Sequence, residues 1–172
     1  MTAQVDENGK MRAQEHSARV RAFQILCALG AVAEAPLSQA DIEARFAELY
    51  VLPQPENGEQ AEVVHLNEEM ETPAVSYEDY RASCARAFET QCAFPESDAL
   101  IERHATGWKV SRMSLVDRTV IRMALYEGFI ARSVPVSVAL SEAVLIAKEF
   151  GGAESGRFVN GVLARIARAQ EQ

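Results

Sequence analysis

At 172 residues, with 48% hydrophobic and 24% charged residues, the chain fits one ordinary domain that buries roughly two thirds of its unfolded surface without disulfide or metal staples. No apolar run approaches the ~20 residues of a membrane span, and the opening MTAQVDENGK has neither the apolar core nor the cleavage pattern of a signal peptide, so a cytoplasmic protein is expected. The net charge of −8 argues against a surface basic throughout, but residues 34–79 alone carry a net −11 while residues 10–33 carry +3, so a local cationic site is not excluded.

In chain order, residues 1–15 are polar and aperiodic and predict a flexible N-terminal tail, with residues 16–172 as a single helical domain. From Ser17, Val20, Phe23, Leu26, Cys27 and Gly30 recur at helical spacing, widened by Ala22, Ile25 and Leu29. Ser38 with Asp41 resembles a cap for a second helix that runs to Tyr50 and carries Ile42, Phe46 and Leu49. Residues 51–75 hold three prolines, six glutamates and no lysine or arginine, the composition of an acidic surface loop. Ser76 with Asp79 opens a third helix bearing Tyr80, Cys84, Ala87 and Phe88, closed by Pro95. Ser97 is expected to cap a short helix with Leu100 and Ile101 that ends near Gly107. Ser114 with Asp117 caps a central helix so widely apolar, from Leu115 to Phe129, that burial between neighbours follows.

After Pro135 a further helix carries Leu140, Ala143, Val144, Ala147 and Phe150, with Leu145 and Ile146 widening a stripe expected to be largely buried. Gly151 and Gly152 can take the left-handed conformation that stops it, and Ser155 is placed to cap a last helix that buries Val159, Val162, Leu163 and Ile166, which makes a helical hairpin. Gly161 reads as a site of close helix approach. No stretch alternates with period two, so the fold class is all-α.

Catalytic chemistry has no foothold in these patterns. His16, His65 and His104 sit beside no nucleophile and in no metal-binding spacing, and Gly151-Gly152 lacks the lysine and hydroxyl residue of a phosphate loop. Cys27, Cys84 and Cys92 are odd in number and lie in apolar helical stretches, which predicts reduced, buried thiols. No enzyme, metal or cofactor is expected; binding remains.

The run VPVSVALSEAVLIAKEFGGAESGRFVNGVLARIA, from Val134 to Ala167, resembles the C-terminal signature of the NusB family of bacterial transcription antitermination factors. Upstream, Trp108, Arg112-Met113, Val116-Asp117-Arg118 and Ile121 to Glu127 are similar in order and spacing. Ala18-Arg19 and Ala22 to Leu26 resemble the first helix more weakly. The resemblance implies a NusB-like fold of two small helical bundles packed together, whose boundary could fall at the acidic loop or near Trp108. It implies an RNA-binding factor that takes boxA-type single-stranded RNA together with the ribosomal protein NusE, in an RNA polymerase antitermination complex serving ribosomal RNA transcription. A homodimer that hides the RNA face is compatible with the family.

RNA binding of this kind needs cations for phosphates and flat side chains for unpaired bases. One candidate place is the start of the first helix, with Arg12, Arg19 and Arg21; family members often carry consecutive arginines where this chain reads Glu15-His16-Ser17. The other is the corner Glu154, Arg157 and Phe158, which in the family lies on the RNA-contacting side. Phe158 has two readings, a base contact or a core residue. Asp117, Arg118, Arg122 and Glu127 read as an internal polar network or as a protein-partner surface. The missing arginines motivate an alternative, a helical interaction module that keeps the ribosomal partner without useful RNA binding. A third reading, the accessory domain of a ribosomal RNA cytosine methyltransferase, lacks a glycine-rich cofactor loop in this chain.

Overall fold

The computed structural model describes residues 2–32, 36–47, 75–105 and 107–170. Within them the elements run α1 (Thr2–Val32), α2 (Gln39–Ala47), α3 (Tyr77–Cys92), α4 (Phe94–His104), a 3-10 turn (Val110–Arg112), α5 (Leu115–Leu125) continuing into a π turn (Tyr126–Ile130), and α6 (Val136–Gln170). No strand occurs among the described residues. The acidic stretch expected as a loop lies outside them, save Val75.

The caps read from the sequence at Ser38, Ser76 and Ser114 operate in three helices, the first through the Asp41 amide donating to the Ser38 hydroxyl at 3.2 Å. The amide of Asp79 donates to the Ser76 hydroxyl at 3.0 Å, and that of Asp117 donates to Ser114 at 3.1 Å, which satisfies an N–H that the first helical turn leaves unpaired. α4 departs from expectation. It starts at Phe94 with Pro95 in its first turn and no side-chain cap, because proline's fixed φ and missing N–H suit that position and it opens the helix rather than closing the one before. Ser97 is therefore inside α4, fully buried, and its hydroxyl has no partner among the described residues.

α1 packs on α3 and α5, α2 on α3, and α6 on α5 and α4, so α1 to α3 form one helical group and α4 to α6 another, joined through α1 and α5. Phe23, Ile25 and Leu26 from α1, Ile42 and Phe46 from α2, Tyr80 and Cys84 from α3, Ile121 and Leu125 from α5 and Val159, Leu163 and Ile166 from α6 belong to one continuous buried cluster. Tyr80 ties the first group together by donating its hydroxyl to the Glu43 carbonyl at 2.5 Å.

Residues 2–15, expected as a tail, are the first turns of α1. Residues 9–15 are exposed, and polar contacts hold the chain there. Gln14 donates to Asp79 at 3.1 Å, and Glu15 accepts from Arg86 at 3.1 Å. α6 breaks at Gly152, whose φ of 83° and ψ of −177° belong to a region essentially reserved for glycine. The expected corner is present, but Ser155 donates its hydroxyl to the Asp117 carboxylate rather than capping the second arm. The first arm is also less buried than its composition predicts: Ala139, Ala143, Ile146 and Ala147 face inward, whereas Val138, Leu145 and Phe150 are exposed. Cys92, at the end of α3, is exposed as well, Cys27 is half-buried, and only Cys84 is interior. Gly161 faces open space, so it is not a close-approach site; that role falls to Gly128, packed on Ala139, and Gly156, packed on Lys148.

Candidate nucleic-acid interface

The six residues singled out from the sequence divide into interior and surface groups. Arg19 is only 4% exposed. Its Nε donates to Glu127 at 2.8 Å, and its Nη1 lies 3.6 Å from Glu15. Glu127, itself 3% exposed at the π turn, also accepts from Arg86, whose other terminal nitrogen reaches Glu15. Arg19, Glu127, Arg86 and Glu15 thus alternate in charge across α1, the π turn and α3. Arg19, expected from the sequence at an RNA-binding place, is engaged within the fold by Glu127 and Glu15. A guanidinium with low exposure needs a carboxylate partner, and Glu127 provides it. The position beside it, Glu15, where family members often carry arginine, completes the same set of pairs.

Arg21 is half-buried against α3, with its Nε donating to the Ser83 hydroxyl at 3.1 Å. The Ser83 hydroxyl in turn donates to the Asp79 carbonyl. Asp79 has a carboxyl held below its usual value chiefly by the Ser76 hydroxyl, with help from the Gln14 amide and the Arg21 charge. Arg12 is exposed and lines a groove of ≈ 590 Å³ with Met11, Glu15, Val138 and Glu142 between the start of α1 and that of α6. His16 sits nearby on Glu142 at 2.7 Å.

The corner is a separate place. Glu154 and Arg157 are both exposed and pair with each other at 2.5 Å, an interaction that water screens to little net value. Phe158 is half-buried and packed on the core, and its ring meets the Trp108 ring edge-on with centroids 4.7 Å apart. Both readings of Phe158 therefore have a basis: its inner side packs and its outer side adjoins an exposed aromatic. Residues 142 and 154 are twelve positions apart, and the first arm alone rises roughly 13 Å over Glu142 to Gly151 at 1.5 Å per residue. Arg12 and the corner consequently do not form one patch.

Asp117, Arg118, Arg122 and Glu127 join internal pairs for the most part. Arg122 holds Asp98 by two bonds, at 2.8 and 2.6 Å, and stacks on Phe94 with its guanidinium carbon 4.1 Å from the ring centre. The sequence reading missed Trp108 as a surface aromatic. Its position after Gly107, which has φ of 92°, turns it outward, and that signal was available in the Gly-Trp pair.

Among the described residues no group of three or more histidines, cysteines or carboxylates could hold a metal ion, and no helix is long and apolar enough to cross a membrane.

The profile of the NusB family matches residues 16–168. The transcription antitermination protein NusB of Agathobacter rectalis is 42% identical over 113 residues, covering 65% of this chain and 82% of that protein. The one from Symbiobacterium thermophilum is 51% identical over 76 residues, covering 44% of this chain and only 50% of its relative, so that alignment spans about half the length of the curated protein. Among solved structures, T. maritima NusB superposes with a TM-score of 0.63 at 27% identity, covering 89% of each chain. A structure of antitermination factors NusB and NusE in complex with dsRNA superposes at 0.65 with 20% identity, covering 91% of this chain and 98% of that one; this last likeness bears on fold alone.

Proposed function

The chain belongs to the NusB family, and from that membership we propose that it is a cytoplasmic transcription antitermination factor, binding boxA-type single-stranded RNA together with the ribosomal protein NusE. It is not an enzyme in this reading. It acts by assembly within an RNA polymerase complex on ribosomal RNA operons. RNA and protein interfaces of modest strength reinforce each other, because engagement of one raises the effective concentration of the other.

The observation that carries the RNA part is the corner of α6. Arg157 projects into solvent with only the equally exposed Glu154 as partner, beside an aromatic pair, Phe158 and Trp108. An exposed arginine supplies a phosphate contact, exposed rings supply stacking surface, and Glu154 can accept from a base edge. Arg12 adds a second, distant cation. Arg19 and Arg21 serve by holding α1 against the π turn and α3 rather than by touching RNA.

The test is a titration of labelled single-stranded boxA-type RNA at several salt concentrations with wild type, Arg12→Glu and Arg157→Glu. Affinity should fall with salt, and each variant should bind more weakly with a salt slope reduced by about one. Wild-type affinity in both variants would remove these residues from the interface.

A second reading has its own support. The burial of Arg19 and the pairing of Glu15 and His16 leave the start of α1 with few outward cations. A module that retains NusE but binds RNA weakly or not at all would show partner binding and no RNA binding in the same titration.

A further inference from the structure

Trp108 is unusual for a large aromatic side chain, since it is 53% exposed although a core lies directly behind it. The turn that presents it is built locally. Gly107 adopts φ of 92°, and the Trp108 amide donates to the Ala105 carbonyl at 3.0 Å. Behind the indole, Phe158 makes the edge-on contact at 4.7 Å, which supports the ring from one side and leaves the other to solvent.

In front of it opens a groove of ≈ 740 Å³ whose wall includes Lys109, Arg118, Arg122, Asp98 and Glu102. Asp98 is taken by Arg122, leaving Lys109 and Arg118 against the single carboxylate of Glu102. Neither Lys109 nor Arg118 makes an ion pair among the described residues, and the buried Nε of Arg118 has no hydrogen-bond partner there. An exposed indole with backing, next to two cations without ion-pair partners among the described residues in an open groove, is the combination that single-stranded nucleic acid uses. The ring takes a base and the cations take the phosphates on either side of it. A protein surface would also accept an exposed tryptophan, but it gives no reason for an unpaired, partly buried guanidinium beside it.

We propose that Trp108 is a base-stacking platform for single-stranded RNA, with Lys109 and Arg118 as its phosphate contacts. The RNA path then continues from Arg157 and Phe158 across the indole into the groove between α4 and α5. The inference rests on the RNA-binding reading above and extends its site to residues on a different part of the chain.

Trp108 is the only tryptophan, so its fluorescence reports on this ring alone. Binding of a labelled single-stranded boxA-type RNA would be followed twice, by anisotropy of the label and by quenching of the indole, with NusE present throughout. Stacking predicts that both signals give the same midpoint. Trp108→Ala should weaken RNA binding about tenfold, Trp108→Phe should recover most of the loss, and Lys109→Glu should weaken binding and lower the salt slope. Thermal melting of each variant checks the fold, which an exposed ring should hardly affect. RNA binding that leaves the indole unquenched, with Trp108→Ala binding as wild type, would overturn the platform while the RNA-binding reading stands. Loss of NusE binding in Trp108→Ala with unchanged RNA affinity would make the ring a protein contact and likewise overturn it. No RNA binding by wild type with NusE present would overturn both.

Discussion

Glu127 shows how a single residue can be named from sequence and yet have a different meaning in the fold. Its spacing on the central helix allowed either an internal network or a partner surface, and burial at the π turn between Arg19 and Arg86 decides for the network. Removing one member of a buried pair strands the charge of the other. Glu127→Ala should therefore lower unfolding stability by about 3–5 kcal/mol, measured by urea denaturation, whereas loss of the exposed Glu154 to Arg157 pair should change it by less than about 1 kcal/mol. The ion pairs of Arg19 were not readable in the sequence because helical spacing sets a side chain's direction but not what packs there. Its partner lies 108 positions away, beyond any local pattern. Asp79 carries the clearest pH dependence. Its folded carboxyl is held below its ordinary 3.8, so its stabilising contribution is present above that value and fades as pH falls through the lower folded value. In Asp79→Asn the loss of stability below about pH 4 should be shallower than in wild type; an unchanged acid limb would show that Ser76 and Gln14 do not stabilise the charge.

At the level of elements, most helices were legible because their caps and apolar spacing are local signals, as Ser76 and Ser114 demonstrate. The errors cluster where one local signal has two uses. Pro95 can end a helix or begin one, and here it lies in the first turn of α4, next to Phe94 under the Arg122 guanidinium. Ser155 can cap a helix or bond across to another, and the nearby carboxylate of Asp117 takes its hydroxyl. The α6 corner was legible in Gly151-Gly152, yet which glycine bears the turn was not. Gly152 alone has positive φ, with open space around the position of a Cβ, whereas Gly151 is crowded by Ser155. Gly152→Ala should accordingly cost about 1–3 kcal/mol from backbone strain alone. Gly161→Ala, in a regular helix with space around it, should stabilise by about 0.5–1 kcal/mol. Paired thermal melts of the two variants check this, and equal shifts would contradict the assignment of the turn to Gly152.

For the whole molecule, the family and the all-α architecture were readable because the C-terminal signature spans two consecutive helices, and a long motif constrains more than any single residue. The surface was less readable. The arginines at the start of α1 look like one cationic cluster in sequence, but folding directs Arg19 inward, engages Arg21 with α3 and leaves Arg12 far from the α6 corner. The net charge of −8 works against unaided encounter with RNA, so binding that depends on a protein partner is the natural consequence. The most direct measurement is the affinity for single-stranded boxA-type RNA with and without saturating NusE. The assembly mechanism predicts tighter binding with NusE by at least about tenfold, as expected when two interfaces act in one complex. Undetectable RNA binding in the presence of NusE would contradict it.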